Sequence, residues 1–430
     1  MKLTLVAPIA HKRREKEPIV ILPPTSVCAV AAVTPPEVTV DIVDESFEDI
    51  DFAHPTDLVG ITAMTSTAPR AYGLAQGFRA QGKKVVLGGM HPSALPQEAL
   101  QYADAVVVGE VEGIWPQVIA DARADRLQGI YQASEPPLAE EIPAPRHDIL
   151  KTASYLTTAV VQTSRGCPFG CEFCTVTQFF GQAYRLRPIQ KVIQEIADFK
   201  ERTYFIIDDN VLGIPQRAQE LFGQMVGFGK RWIGQASLTG LREPGLLKLA
   251  ARAGCCALFV GFETLSQNAL NSFGKSFNVV ERYSDAIARL HDAGIAVIAS
   301  FMFGLEADTE ATFEQTLKFA EKAKVDLLQM SILTPLPGTK VYEQMEQQGR
   351  IIDRDWSNYD GSHVVFQPRN LTPERLFDEF QQALRQAYSL RGIWQRLGLA
   401  GVLTRPVNVP LNLGFRARIK SYQSALPTIA

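Results

Sequence analysis

The residues best placed to do chemistry are three cysteines in Ser164-Arg165-Gly166-Cys167-Pro168-Phe169-Gly170-Cys171-Glu172-Phe173-Cys174, spaced C-x3-C-x2-C. An ordinary iron–sulfur cubane takes four thiolates, one per iron. Three thiolates leave one iron without a protein ligand, and such an iron can bind and activate a small molecule. Gly166, Pro168 and Gly170 allow the loop to wrap a compact inorganic core. On residue types alone the alternative is zinc held by three Cys and a His, yet no histidine stands at zinc-finger spacing.

C-x3-C-x2-C with an aromatic just before the last Cys resembles the signature of the radical S-adenosylmethionine (SAM) superfamily. The resemblance implies that Cys167, Cys171 and Cys174 hold a [4Fe–4S] cluster whose fourth iron is chelated by SAM. One electron then splits SAM into methionine and a 5'-deoxyadenosyl radical. Phe173 is expected at the adenine. Gly261-Phe262-Glu263 resembles the fourth-strand G-x-E of the cobalamin-dependent branch, which places Glu263 at the ribose or amino group of SAM. Phe303, in the fifth-strand segment, is expected against adenine, and Ser237, ending the third strand, is a further SAM-binding candidate. Pro335-Leu336-Pro337-Gly338-Thr339 resembles that branch's sixth-strand P-x-P-G-T.

These residues need a scaffold. From Ala159 onward strand-like runs alternate with helical stretches of about 12 residues. Six such units fall short of an eight-fold barrel and match the partial (β/α)6 TIM-type barrel of radical SAM proteins, with functional groups at the carboxyl ends of the strands. Asp208 and Asp209 end the second strand and read equally as functional carboxylates or helix caps. Cys255 and Cys256 read as small apolar filler. Before this unit, runs at Leu3 to Ala7, Val38 to Val43, Leu58 to Thr62, Lys84 to Leu87 and Ala105 to Val108 are near-continuous in Val, Ile and Leu. Strands buried on both faces look like that. The expectation is a flavodoxin-like, Rossmann-type α/β domain that binds ligands at its strand ends.

This half resembles the cobalamin-binding domain of methionine synthase and the mutases. By that resemblance Thr62 with Ser66, and Gly88 with Gly89, line the channel for the nucleotide tail; Gly109 and Glu110, at the end of the fifth strand, are further cofactor-binding candidates by position. The family's D-x-H-x-x-G after the first strand is absent, the loop reading Pro8-Ile9-Ala10-His11-Lys12-Arg13. His91 is the substitute candidate at cobalt, against a histidine merely solvated in a polar loop.

The partition expected is residues 1–133 for cobalamin, a proline-rich linker at 134–150, the radical SAM barrel at 151–340, and a mostly helical C-terminal region at 341–430. After Asp378 and Glu379 no acidic residue occurs, while Arg385, Arg391, Arg396, Arg405, Arg416, Arg418 and Lys420 interleave with Trp394 and several leucines. Such a tail suits an anionic membrane surface or an apolar anionic substrate, or packs on the acidic body of its own chain. A net charge of −3 gives no reason to expect nucleic acid, and six cysteines in 430 residues make no disulfide framework. Met1 to Pro8 read as too short and proline-terminated for a signal peptide, no apolar run approaches the roughly 20 residues of a membrane span, and reduced thiolates at a cluster imply a reducing setting, so a cytoplasmic location is expected.

Together the motifs resemble the cobalamin-dependent radical SAM family from Lys2 to about Tyr342. The chemistry implied is C-methylation at an unactivated carbon of a hydrophobic small molecule, lipid or tetrapyrrole-like. An electron donor such as flavodoxin or ferredoxin would feed the cluster. Ring contraction, oxidative cyclisation or carbon–carbon coupling by the same machinery is the runner-up. A non-enzymatic corrin carrier leaves the three-cysteine loop unexplained.

Overall fold

A computed structural model describes residues 1–10, 22–151, 155–404 and 408–423. His11-Lys12-Arg13 and Arg405 lie outside the described residues. The first sheet contains β1 (Lys2–Ala7), β2 (Thr39–Asp44), β3 (Leu58–Thr62), β4 (Lys84–Gly88), β5 (Ala105–Val108) and β6 (Gly129–Gln132). All pair in parallel, in the order β2-β1-β3-β4-β5-β6. The first five follow the flavodoxin order, whose switch point lies between β1 and β3. Leu3 and Leu5 pack with Val27, Cys28 and Trp115 on one face, and Val6, Val59 and Ile61 with Leu74 and Phe78 on the other. Helices Thr25–Val33 and Trp115–Arg123 therefore cover one face and Ala68–Ala80 the other. Burial on both faces is why these strands carry no polar alternation. β6 was not expected. It is a short edge strand whose residues alternate between half-buried and exposed, so it lacks an apolar run.

The second sheet opens with β7 (Val160–Val161). The hairpin of β8 (Ser164–Arg165) and β9 (Arg185–Leu186) follows and frames the cysteine loop. Next come β10 (Thr203–Ile206), β11 (Arg231–Ala236), β12 (Cys255–Glu263), β13 (Ala296–Phe303) and β14 (Leu327–Ile332). The parallel order β14-β13-β12-β11-β10-β7 is that of an open partial barrel. β7 is shorter than its apolar run, because the N–H groups of Thr163 and Ser164 donate to the Asp208 carboxylate at 2.5 and 3.2 Å instead of a neighbouring strand.

The C-terminal helices Pro373–Ala387, Leu390–Thr404 and Asn408–Gln423 build no separate core. Phe366, Leu376, Phe380, Tyr388 and Leu397 join the core of the second sheet. A single turn at Trp356–Asn358 reaches back to the first domain, where Trp356 Nε1 donates to Glu98 Oε1 at 3.0 Å.

Candidate functional site

The cysteine loop leaves β8 at Gly166, whose φ of +85° and close approach to the Ala183 carbonyl exclude a side chain. Cys174 N–H donates to the Cys171 carbonyl at 3.1 Å, closing a tight turn. The segment Phe273-Gly274-Lys275-Ser276-Phe277-Asn278 grips the loop from below. Glu172 N–H donates to the Phe273 carbonyl at 3.0 Å, and Phe169 stacks on Phe277 at 3.9 Å. Cys167, Cys171 and Cys174 carry no disulfide and are partly buried. Burial pushes all three thiols up, Cys171 to about 11 and Cys174 to about 12; neighbouring sulfurs raise these two further, whereas Cys167 is raised further by Asp209. Among the described residues no three His, Cys, Asp or Glu converge as a single metal ion requires. Thiolates on separate irons of a cubane are held apart by the cluster between them, so the donor set fits a cluster better than zinc.

Asp208 is fully buried, and its carboxylate also accepts from Ser164 Oγ at 2.6 Å, tying β10 to the root of the loop. That is a structural task. Asp209 is pushed up to about 7 by burial and then by Asp208. Ser237 meets the loop through a neighbour: Asn210 Nδ2 donates to Ser237 Oγ at 3.0 Å, and Asn210 itself reaches Cys167.

Between Gly261 and Glu263 the register of β12 against β13 slips, and Glu263 adopts a φ of +66°. The Glu263 carboxylate accepts from the Lys275 ammonium, and both are largely buried. A Cβ on Gly261 would fall 2.3 Å from Glu263 Oε1, so glycine keeps this space clear. Lys275 Nζ also lies 5.7 Å from the centre of the Phe173 ring. Glu263 and Phe173 are thus brought together beside the cysteines. Phe303 is not: it stacks on Phe313 at 4.4 Å and meets Phe380 edge-on in the outer helical layer. Its expected contact with adenine is corrected on that ground, since alternation along β13 turns Ser300 and Met302 to the opposite face.

At the carboxyl ends of β1, β3, β4 and β5 lies a cavity of about 420 Å3. Thr62, Gly88, Gly89, Gly109 and Glu110 line it, and Gln162, Arg165, Phe179 and Phe180 of the second domain close its far side. Ser66 and His91 are not on its wall. His91 is completely buried, its Nε2 3.3 Å from Glu98 Oε1 and its ring edge-on to Trp356. The expectation that His91 replaces the missing cobalt ligand is corrected: its ring belongs to the contact that seats the Trp356 turn. On the cavity wall Glu112 Oε2 is buried without a partner among the described residues. A corrin ring bordered by primary amides offers the N–H donors that this oxygen lacks, so the wall fits cobalamin.

Sequence motifs did not single out Arg165, Glu112, Asn210, Lys275 or Asn278. Their signal is faint: Arg165 stands beside the cysteine motif, Lys275 and Asn278 fall in the segment Phe273 to Asn278, and Glu112 and Asn210 are single polar residues in the turns after their strands.

Residues 161–320 match the radical SAM superfamily and residues 26–119 the B12 binding domain. The bacteriochlorophyllide d C-12(1)-methyltransferase of Chlorobaculum tepidum is 32% identical over 351 residues, 79% of this chain and 76% of that protein. The hopanoid C-2 methylase of Rhodopseudomonas palustris is 27% identical over 86% of this chain and 75% of its own. Among solved structures, the radical SAM methyltransferase TsrM of Kitasatospora setae superposes with a TM-score of 0.68 over 99% of both chains, at 15% identity. The chain belongs to the cobalamin-dependent radical SAM enzymes. Its cofactors are a [4Fe–4S] cluster, SAM and cobalamin.

Proposed function

We propose that this enzyme methylates an unactivated carbon of a hydrophobic, tetrapyrrole-like substrate. The observation that carries the reading is the placement of the cavity: its first wall comes from the cobalamin-binding strand ends, and its second from the strand and helix flanking the cysteine loop. The relatives with bacteriochlorophyllide and hopanoid substrates support a large apolar substrate.

When bound, the cluster and SAM supply a hydrogen-abstracting radical and cobalamin supplies the methyl group. The chain's own residues bind, orient and exclude water. Cys167, Cys171 and Cys174 anchor the cluster. Glu263 accepts hydrogen bonds from the amino or ribose groups of SAM, and Phe173 lies against adenine. Thr62, Gly88, Gly89 and Gly109 offer small side chains that let the nucleotide tail approach the backbone. Phe179 and Phe180 present an apolar wall that keeps water from the reacting carbon. A low-potential donor such as flavodoxin or ferredoxin delivers the electron, and the exposed face of the C-terminal helices rests on a membrane where the substrate resides.

Anaerobic incubation of the reconstituted enzyme with methyl-labelled SAM and a chlorin substrate tests the proposal. The expected outcome is one labelled methyl group per product, with deoxyadenosine formed alongside. Product without label, formed together with deoxyadenosine, would overturn methylation and leave the radical chemistry standing.

A further inference from the structure

Four charged side chains meet where the two domains touch. Arg165 donates through one terminal nitrogen to Glu110 and through the other to Glu112 Oε1, the latter at 2.7 Å. Arg185 donates to both oxygens of Glu110. Arg165 Nε is held by Gln162 Oε1 at 2.9 Å, and its guanidinium lies 5.9 Å from the centre of the Phe180 ring. Arg185 also donates to the Pro137 carbonyl at 3.0 Å, so the connecting segment is drawn into the same knot. Side-chain exposure is 8% for Arg165, 6% for Glu110, 4% for Glu112 and 13% for Arg185.

The location gives this cluster its meaning. Glu110 and Glu112 belong to the loop after β5, on the cobalamin side of the cavity, and Arg165 stands two residues before Cys167. Two positive and two negative groups balance, so the cluster provides no net charge with which to bind a free ion. Buried charges are costly unless each finds its partner, which makes the set intolerant of small displacements. A planar guanidinium bridging two carboxylates fixes direction as well as distance, which an ammonium cannot do.

We propose that Arg165 is a positioning residue that holds the cobalamin-bearing strand ends at a fixed distance from the cluster loop. Its fork couples the root of the cysteine loop to the loop after β5 on the cavity wall, so that the two cofactors would be held in one arrangement. The inference depends on the two cofactors and not on methyl transfer, so it stands or falls independently of the proposed substrate.

The reduced cluster and cob(II)alamin each carry an unpaired electron, so their separation is read from electron-spin dipolar coupling in the full-length reconstituted protein. The wild type should give one narrow distance. Arg165→Met should shift that distance and broaden it in the molecules that hold both cofactors. Arg165→Lys, which keeps the charge without the fork, should fall between. Glu112→Gln, a milder change, carries the test if Arg165→Met fails to fold, and should broaden the distance in the same sense. An unchanged distance in these variants would overturn the proposal. So would joint loss of iron and cobalamin from Arg165→Lys, which would assign the four charged side chains to folding alone.

Discussion

At the residue where SAM is expected to bind, the chain tolerates an uncommon backbone. Glu263 holds a φ of +66° at a bulge, a conformation that costs a non-glycine residue on the order of 1–3 kcal/mol and persists only where the surroundings enforce it. The surroundings here are Lys275, which pairs with its carboxylate, and Asn278, whose Nδ2 donates to the Gly261 carbonyl at 2.9 Å. Removing one member of a buried ion pair strands the other, which costs about 3–5 kcal/mol, whereas replacing both with neutral groups costs far less. Lys275→Met and Glu263→Gln should therefore each destabilise the fold by more than the double variant does. Urea denaturation of the two single variants and the double checks this cycle, and additive losses would show that the pair is not coupled. Glu263→Gln should also weaken SAM binding to the cluster-loaded protein, as measured by calorimetry.

Elements were legible where burial leaves a mark on composition. The strands covered on both faces announced themselves as apolar runs, and the thiol spacing located the loop that serves the barrel. The same uniformity hides the phase of a strand. β13 reads Ala296-Val297-Ile298-Ala299-Ser300-Phe301-Met302-Phe303, apolar on both faces but for one serine, so nothing in it tells which phenylalanine faces the site. Phe303 was misplaced for that reason. Arg165 and Lys275 escaped because their partners lie 53 to 55 and 12 residues away, and only the fold brings them together. The same β13 ends in a device that pH should reveal. Asp308 accepts the N–H groups of Gly304 and Leu305, both at 2.9 Å, yet burial outweighs those bonds and pushes its carboxyl up to about 6. Between about pH 4 and pH 6 the unfolded chain ionises first, so folding stability falls as pH rises through that window, by on the order of 3 kcal/mol. Asp308→Asn keeps an acceptor for both N–H groups and should remove that slope. Urea midpoints at about pH 4 and about pH 7 measure it, and a variant with the wild-type slope would assign the pH dependence to other groups.

At the scale of the whole molecule, the C-terminal region closes the second core on one side and reaches the first domain through Trp356 on the other. Part of its basic character is spent inside. Arg396 is almost wholly buried and donates to Asn412 Oδ1 at 2.7 Å, and Arg416 donates to the Tyr388 carbonyl at 2.8 Å. What faces outward is different: Leu390 and Trp394 are 62% and 57% exposed on the helix before a kink at Gly398, and Leu399, just past the kink, is 63% exposed. Beside them a groove is lined by Lys318, Lys322 and Lys324 together with Glu321, Trp394 and Gln395. Lys318 is engaged by Glu314 at 2.6 Å, so attraction to an anionic surface falls mainly to Lys322, Lys324 and Arg391. Among the described residues no helix is long and apolar enough to cross a membrane. Each lysine or arginine near an anionic bilayer contributes about 1 kcal/mol, and a tryptophan at the headgroup level adds apolar burial. The full chain should therefore sediment with vesicles containing roughly one third phosphatidylglycerol and much less with phosphatidylcholine alone. Leu390→Ser with Trp394→Ser should abolish sedimentation, and raised salt should weaken it. Equal binding to both vesicle types would remove the lysines from the explanation. Concentration-dependent self-association of the wild type without vesicle binding would instead make this face a contact between two copies of the chain.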